Sequence, residues 1–155
     1  MIKEIRIKNF KSIQKLKLDI GRLTVLIGEN GSGKTNILEA LALGSAAADR
    51  KLDNEFLASR GIRVSEPEFM RAAFDKENIS HEIMLSIKGD DDNNFGCELQ
   101  NANRPYSKWI IKYLEGFEEE ALRRVFWDNP SNIVTSASFL PKFKTNFILV
   151  YMDIQ

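Results

Sequence analysis

Cysteine and histidine are almost missing from this sequence. Cys97 and His81 stand alone among 155 residues. A single cysteine cannot close an intrachain disulfide or supply a cysteine-rich zinc site. Cys97 therefore reads as a small buried hydrophobe, and His81 as a core or strand-edge residue. An excess of one charge is missing too. Lysine plus arginine and aspartate plus glutamate both number 22, so the whole chain exerts no net pull on nucleic acid. No apolar stretch is long enough to span a bilayer. The first residues already alternate charged and apolar, which excludes a secretory leader. These absences point to a reducing, cytoplasmic setting without membrane contact. Internal repeats and proline-rich linkers are also lacking, so 1–155 is expected to form a single lobe.

What is present is a globular balance, with 43% hydrophobic and 28% charged residues. Charge is uneven locally. Lys3, Arg6, Lys8, Lys11, Lys15, Lys17 and Arg22 face only Glu4 and Asp19 in the first 22 residues. Such a block is either the solvated face of two strands or a surface for phosphate or DNA.

Ile5 and Ile7 alternate with Arg6 and Lys8. Leu16, Leu18 and Ile20 alternate with Lys15, Lys17 and Asp19. This period of two predicts half-buried strands, and the short link Asn9 to Gln14 predicts an antiparallel pair. Leu23 to Ile27 is a nearly unbroken apolar run, expected as a strand covered on both faces. Good helix formers follow Lys34, with Ile37, Leu38 and Leu41 spaced for one buried face. Residues 1–48 thus hold a hairpin, a strand, a glycine loop and a helix, and residues 49–155 the remaining helices and strands.

Leu52 to Arg60 reads as a second helix stopped by Gly61. Glu66 to Phe74 fits neither template. Ile79 to Ile87 reads as a strand, Gly89 to Asn94 as a turn, and Phe95 to Leu99 as the returning strand. From Ser107 an apolar stripe predicts a long helix to about Trp127, with Glu119–Arg123 and Glu120–Arg124 as i,i+4 pairs. Phe147 to Met152 reads as a buried strand.

Gly28-Glu-Asn-Gly-Ser-Gly-Lys-Thr35 is the strongest signal. A triphosphate packs several negative charges together, so holding it takes many donors in little space. Glycines remove Cβ atoms and let backbone N–H groups approach the phosphates. The helix that follows adds its free N–H groups and dipole. Asn30, Gly31, Ser32 and Gly33 form the cradle. Lys34 brings a full charge to the β and γ phosphates, and the Thr35 hydroxyl reaches Mg2+. Each charge-assisted hydrogen bond contributes about 1.5–3 kcal/mol. ATP is the expected ligand, because Asn-Lys-x-Asp, which reads guanine, is absent. Asp153 follows an apolar run and has the local look of a Walker B carboxylate. With it, the chain would read as a complete small kinase-like P-loop enzyme. A plain strand-end aspartate is the other reading of Asp153, and a P-loop kept as a relic in an interaction fragment is another reading of the chain.

Further residues carry a family resemblance. Ile7-Lys-Asn-Phe-Lys-Ser12, a second strand, then Leu26-Ile-Gly-Glu-Asn-Gly-Ser-Gly-Lys-Thr-Asn-Ile-Leu-Glu-Ala40 resembles the start of the RecF/SMC/OLD-type ABC ATPases, a group of AAA family ATPases. The likeness is close over about the first forty residues. It implies an α/β P-loop NTPase fold: an ABC-ATPase-like first lobe with an antiparallel β portion beside the P-loop unit. It also implies that Lys11 and Ser12 lie near the nucleotide, that Asn36 supports the loop, and that Gln155 is a magnesium-contacting Q-loop glutamine. Full proteins of this kind couple ATP hydrolysis to DNA repair, chromosome handling or phage defence through head-to-head dimers. The sequence departs from the pattern in having no Leu-Ser-Gly-Gly-like signature, no Asp-Glu pair and no acidic cluster suited to a Toprim nuclease, and His81 is misplaced for a switch. The resemblance therefore implies an ATP-binding first lobe, with the second lobe and most hydrolytic groups lying outside these residues.

Overall fold

A computed structural model describes residues 1–72, 80–90, 94–104 and 107–114. Their centre is a five-stranded antiparallel sheet in the order β2-β1-β3-β4-β5. The strands are β1 (Ile2–Phe10), β2 (Ile13–Asp19), β3 (Ile83–Gly89), β4 (Asn94–Gln100) and β5 (Ile110–Tyr113). The expected N-terminal hairpin is present, with Ile5 opposite Leu18 and Ile7 opposite Leu16. Only Lys11 and Ser12 separate its strands, and Lys11 takes a positive φ of 50° to make the turn. The β3–β4 hairpin also forms as expected, pairing Leu85 with Cys97 and Ile87 with Phe95.

Alternation splits the sheet into two faces. Ile5, Ile7, Leu85, Ile87, Cys97 and Leu99 line one, and all are buried. Helix α1 (Lys34–Ala48) covers this face with Ile37, Ala40, Leu41, Leu43 and Ala47. Gly44 lets it lie close, since a Cβ there would meet Ile87 Cδ1 at 2.9 Å. Leu38, expected on the buried face, is 45% exposed. It stands about 100° around the helix from Ile37, outside the arc that Ile37, Leu41 and Gly44 press onto the sheet. Cys97 is fully buried, as expected of a small hydrophobe, and burial pushes its thiol pKa up, with the Glu98 charge adding to this.

Four other expectations change. Leu23 to Ile27 enters no strand pairing among the described residues, and Leu23 and Ile27 are exposed. A strand covered on both faces needs neighbours on each side, and the described strands all pair elsewhere. The second helix is shorter: α2 spans Asn54–Ser59, capped by the Asp53 carboxylate accepting from Phe56 N at 2.8 Å. Gly61 does stop it, at φ 77°. His81 lies in an exposed bend before β3 rather than in a strand or core. The long helix from Ser107 is not formed at its start. Ser107 donates to Asn101 Oδ1 at 2.6 Å, and Ile110–Tyr113 joins β4 as β5. Its β-branched and aromatic residues suit that pleated edge better than a helix turn. The later part of that helix with its ion pairs, the 147–152 run, Asp153 and Gln155 lie outside the described residues.

Residues 66–74, which fit no template, contain a 3-10 helix, Pro67–Met70. Asn9 ties this segment to the sheet. Its Oδ1 accepts from Ala72 N at 3.0 Å, and its Nδ2 donates to the carbonyls of His81 at 3.0 Å and Glu82 at 3.2 Å. Its φ of 59° suits asparagine better than most residues. Asn9→Ala removes these bonds and strains the backbone. We expect a loss of about 2–3 kcal/mol in urea unfolding with an unchanged m-value.

Candidate nucleotide-binding site

The glycine loop runs from Gly28 into α1. Gly31 and Gly33 have φ of 89° and 90°, values that glycine reaches without strain. A Cβ on Gly31 would meet nothing within 4 Å, so the loop's concave side is open there. A Cβ on Gly33 would lie 2.9 Å from Ser12 Oγ, so a side chain there would have to displace that hydroxyl besides straining φ. Helix α1 begins at Lys34 with no side-chain cap and no acidic residue in its first turn. Its first N–H groups therefore face the loop without a competing anion. This arrangement fits an anion of phosphate geometry.

Lys34 folds back over the loop. Its Nζ donates to Gly28 O at 2.7 Å, Glu29 O at 2.6 Å and Ser32 Oγ at 3.2 Å. The ammonium is held at the loop by neutral acceptors, which a phosphate oxygen can replace with a stronger charge-assisted bond. Thr35 is exposed on the first turn. No group of three or more His, Cys, Asp or Glu side chains able to hold a metal exists among the described residues. A cation at Thr35 would take its other ligands from phosphate oxygens, from water or from residues outside the described part.

Lys11, Ser12 and Asn36 do meet at this loop. Asn36 Nδ2 donates to Ser12 Oγ at 2.7 Å, linking α1 to the β1–β2 turn. Lys11 Nζ pairs with Glu39 Oε2 and donates to Arg63 O at 3.1 Å. Two residues with no role assigned from sequence complete the cluster. Glu39, only 3% exposed, also accepts from Arg63 Nε at 2.9 Å, and Arg63 Nη2 donates to Asn36 Oδ1 at 3.3 Å. The Glu-Ala pair in the α1 sequence was the only signal for Glu39. Arg63 carried none. Burial works to raise the Glu39 pKa, and the hydrogen bonds and charges of Lys11 and Arg63 outweigh it, holding the carboxyl below its ordinary 4.5. An open groove of about 530 Å³ adjoins the cluster, lined by Lys11, Ser12, Asn36, Arg63, Ser65 and Phe69 among others.

The N-terminal basic block is largely paired. Arg6 and Lys17 bind the Glu4 carboxylate at 2.6 and 3.1 Å, Lys3 binds Asp90 at 3.2 Å, and Lys11 binds Glu39. Burial first, then the Lys15 charge, lower the pKa of Lys8, against a smaller opposing effect of Glu82. No helix of the described residues is long and apolar enough to cross a membrane.

Comparison with known proteins places the chain among ATPase domains. A family model described as an AAA ATPase domain matches residues 1–146. The chain is 45% identical over 58 residues to the chromosome partition protein Smc of Methanocaldococcus jannaschii, covering 36% of this chain and 5% of that protein. It is 31% identical over 102 residues to the OLD nuclease of Thermus scotoductus, covering 59% and 19%. It is 33% identical over 93 residues to the DNA replication and repair protein RecF of Bacillus cereus, covering 57% and 24%. The chain thus spans at most about a quarter of the length of these relatives.

A carboxyl whose pKa is lowered on folding stabilises the fold above its unfolded value, and that stability fades as pH falls through the folded value. Glu39→Gln is expected to cost about 1–3 kcal/mol at pH 7. As pH falls below the ordinary 4.5 of a glutamate carboxyl, the variant's loss of stability should be shallower than in the wild type, measured by urea unfolding at a series of acidic pH values.

Proposed function

Because the chain belongs to the AAA ATPase domain family, among the RecF/SMC/OLD-type ATPases, we propose that it binds ATP with Mg2+ through the loop Gly28–Thr35. The observation that carries this reading is the uncapped start of α1 behind two positive-φ glycines, with Lys34 poised on exchangeable carbonyls. Asn30, Gly31, Ser32 and Gly33 cradle the β phosphate. Lys34 moves from Gly28 O and Glu29 O to the β and γ oxygens. Thr35 gives its hydroxyl to Mg2+, which when bound neutralises phosphate charge. Asn36, held by Ser12 and Arg63, keeps the first turn of α1 in place. Lys11 and Ser12 act from the adjoining turn.

Residues 1–155 work in this reading as one ATP-binding lobe. It acts with a second lobe or a second head, as the head dimers of the family do. Lys34 is then a catalytic residue of the joint site. The chain alone holds ATP with little turnover, since neither a signature serine-glycine motif nor an Asp-Glu pair occurs in its sequence. The names of Smc and RecF make DNA handling the process we propose for the whole assembly.

ATP is expected to raise the melting temperature of the wild type in the presence of Mg2+, equivalent to about 2.7 kcal/mol at a hundredfold excess over Kd. Lys34→Ala should abolish the rise while leaving the ligand-free melting temperature close to that of the wild type. A rise retained in Lys34→Ala would exclude this loop as the site. For DNA, a Lys15→Ala/Lys17→Ala variant should bind more weakly and with a flatter salt dependence. Unchanged binding would reduce the N-terminal block to a solvated strand face.

A further inference from the structure

Phe69 is the only aromatic among the large hydrophobic residues that are exposed in the described part of the chain, at 63% of its surface. Everything around it is fixed. Its own N–H donates to Glu66 O at 2.9 Å, closing the 3-10 turn. The next residue, Met70, is buried, and its carbonyl accepts from Lys11 N at 3.0 Å. Arg71 follows, buried, with its guanidinium donating to the carbonyls of His81 at 2.7 Å and Asn101 at 3.1 Å. Ala72 N is held by Asn9. A hydrogen-bonded backbone thus presents a largely exposed apolar ring.

The ring has a definite outlook. Phe69 lines the groove that also contains Ser12 and Asn36. Ser12 touches the position of Gly33, and Asn36 belongs to the first turn of α1. The groove therefore opens directly beside the phosphate cradle. Its volume, about 530 Å³, lies in the range of small-molecule sites. A nucleotide with its phosphates on the loop must send its ribose and base away from α1. An aromatic ring on the wall of that groove is the surface on which a flat base gains most.

We propose that Phe69 is the stacking platform for the nucleobase, and so the residue through which the base adds to nucleotide affinity at this site. The proposal rests on the reading of Gly28–Thr35 as a phosphate cradle. It separates two parts of the ligand: the loop holds the phosphates, and Phe69 holds the base. Stacking of a base on an aromatic side chain typically changes affinity by about five- to a hundredfold.

The test is calorimetric titration of the full chain with Mg-ATP and with inorganic tripolyphosphate plus Mg2+. Phe69→Ala should weaken ATP about tenfold or more and leave tripolyphosphate within twofold of the wild type. Phe69→Trp should keep ATP affinity. Phe69→Leu, apolar but without a π face, should resemble Phe69→Ala. An exposed side chain contributes little to the fold, so all three variants should melt close to the wild type without ligand. ATP affinity unchanged in Phe69→Ala, or retained in Phe69→Leu, would overturn the stacking role. Equal loss of ATP and tripolyphosphate in Phe69→Ala would overturn it as well, since the residue would then only position the loop. A wild type that binds neither ligand would refute the phosphate cradle, a failure distinct from tight tripolyphosphate binding with no contribution from Phe69.

Discussion

The buried Glu39 carboxylate and its two cations organise the end of the molecule that carries the loop. A carboxylate at 3% exposure cannot stay charged without partners. Lys11 arrives from the β1–β2 turn and Arg63 from the segment beyond α2, so one charge fastens three separate segments. Removing either cation leaves the buried Glu39 charge less compensated, which is why the arrangement constrains the fold. The Asn36–Ser12 bond runs beside it and carries the constraint to the first turn of α1. Gly33 takes φ 90°, and a Cβ there would also crowd the Ser12 hydroxyl that Asn36 holds.

With the start of α1 fixed, its unsatisfied N–H groups point in one direction and stay there. Preorganised donors need no reordering when an anion arrives, so more of the interaction energy appears as affinity. Lys34 is the part proposed to change partners. Bonded to Gly28 O and Glu29 O, it shields the loop's carbonyls and keeps its charge at the site. On the far side of the sheet, pairs such as Arg6–Glu4 and Lys112–Glu98 absorb cations that would otherwise form a broad basic field. The local excess of positive charge in the sequence is therefore smaller in its effect than its count suggests.

The N-terminal hairpin, α1 and the β3–β4 hairpin were legible because alternation and helical spacing report directly on which face is buried. The glycine loop was legible because its residues are fixed by chemistry. Leu23 to Ile27 misled because apolarity records what a strand could bury, while pairing depends on neighbours that local pattern cannot name. Ile110–Tyr113 misled in the opposite sense. Its stripe matched a helix, but β4 offered an open edge and the β-branched residues took it. Glu39 and Arg63 were not legible as a site because their pairing spans distant segments. Phe69 was invisible for a related reason: one aromatic in an unassigned stretch gives no sign of standing beside a loop more than thirty residues earlier.

Amide hydrogen exchange with and without Mg-ATP tests the account most directly, since it reads the loop, the turn and the helix start at once. Slowed exchange is expected at Gly31–Asn36 and out to Lys11 and Ser12, with the β3–β4 hairpin unchanged. Exchange in the loop that ATP leaves untouched, while ATP is shown to bind elsewhere on the chain, would contradict it.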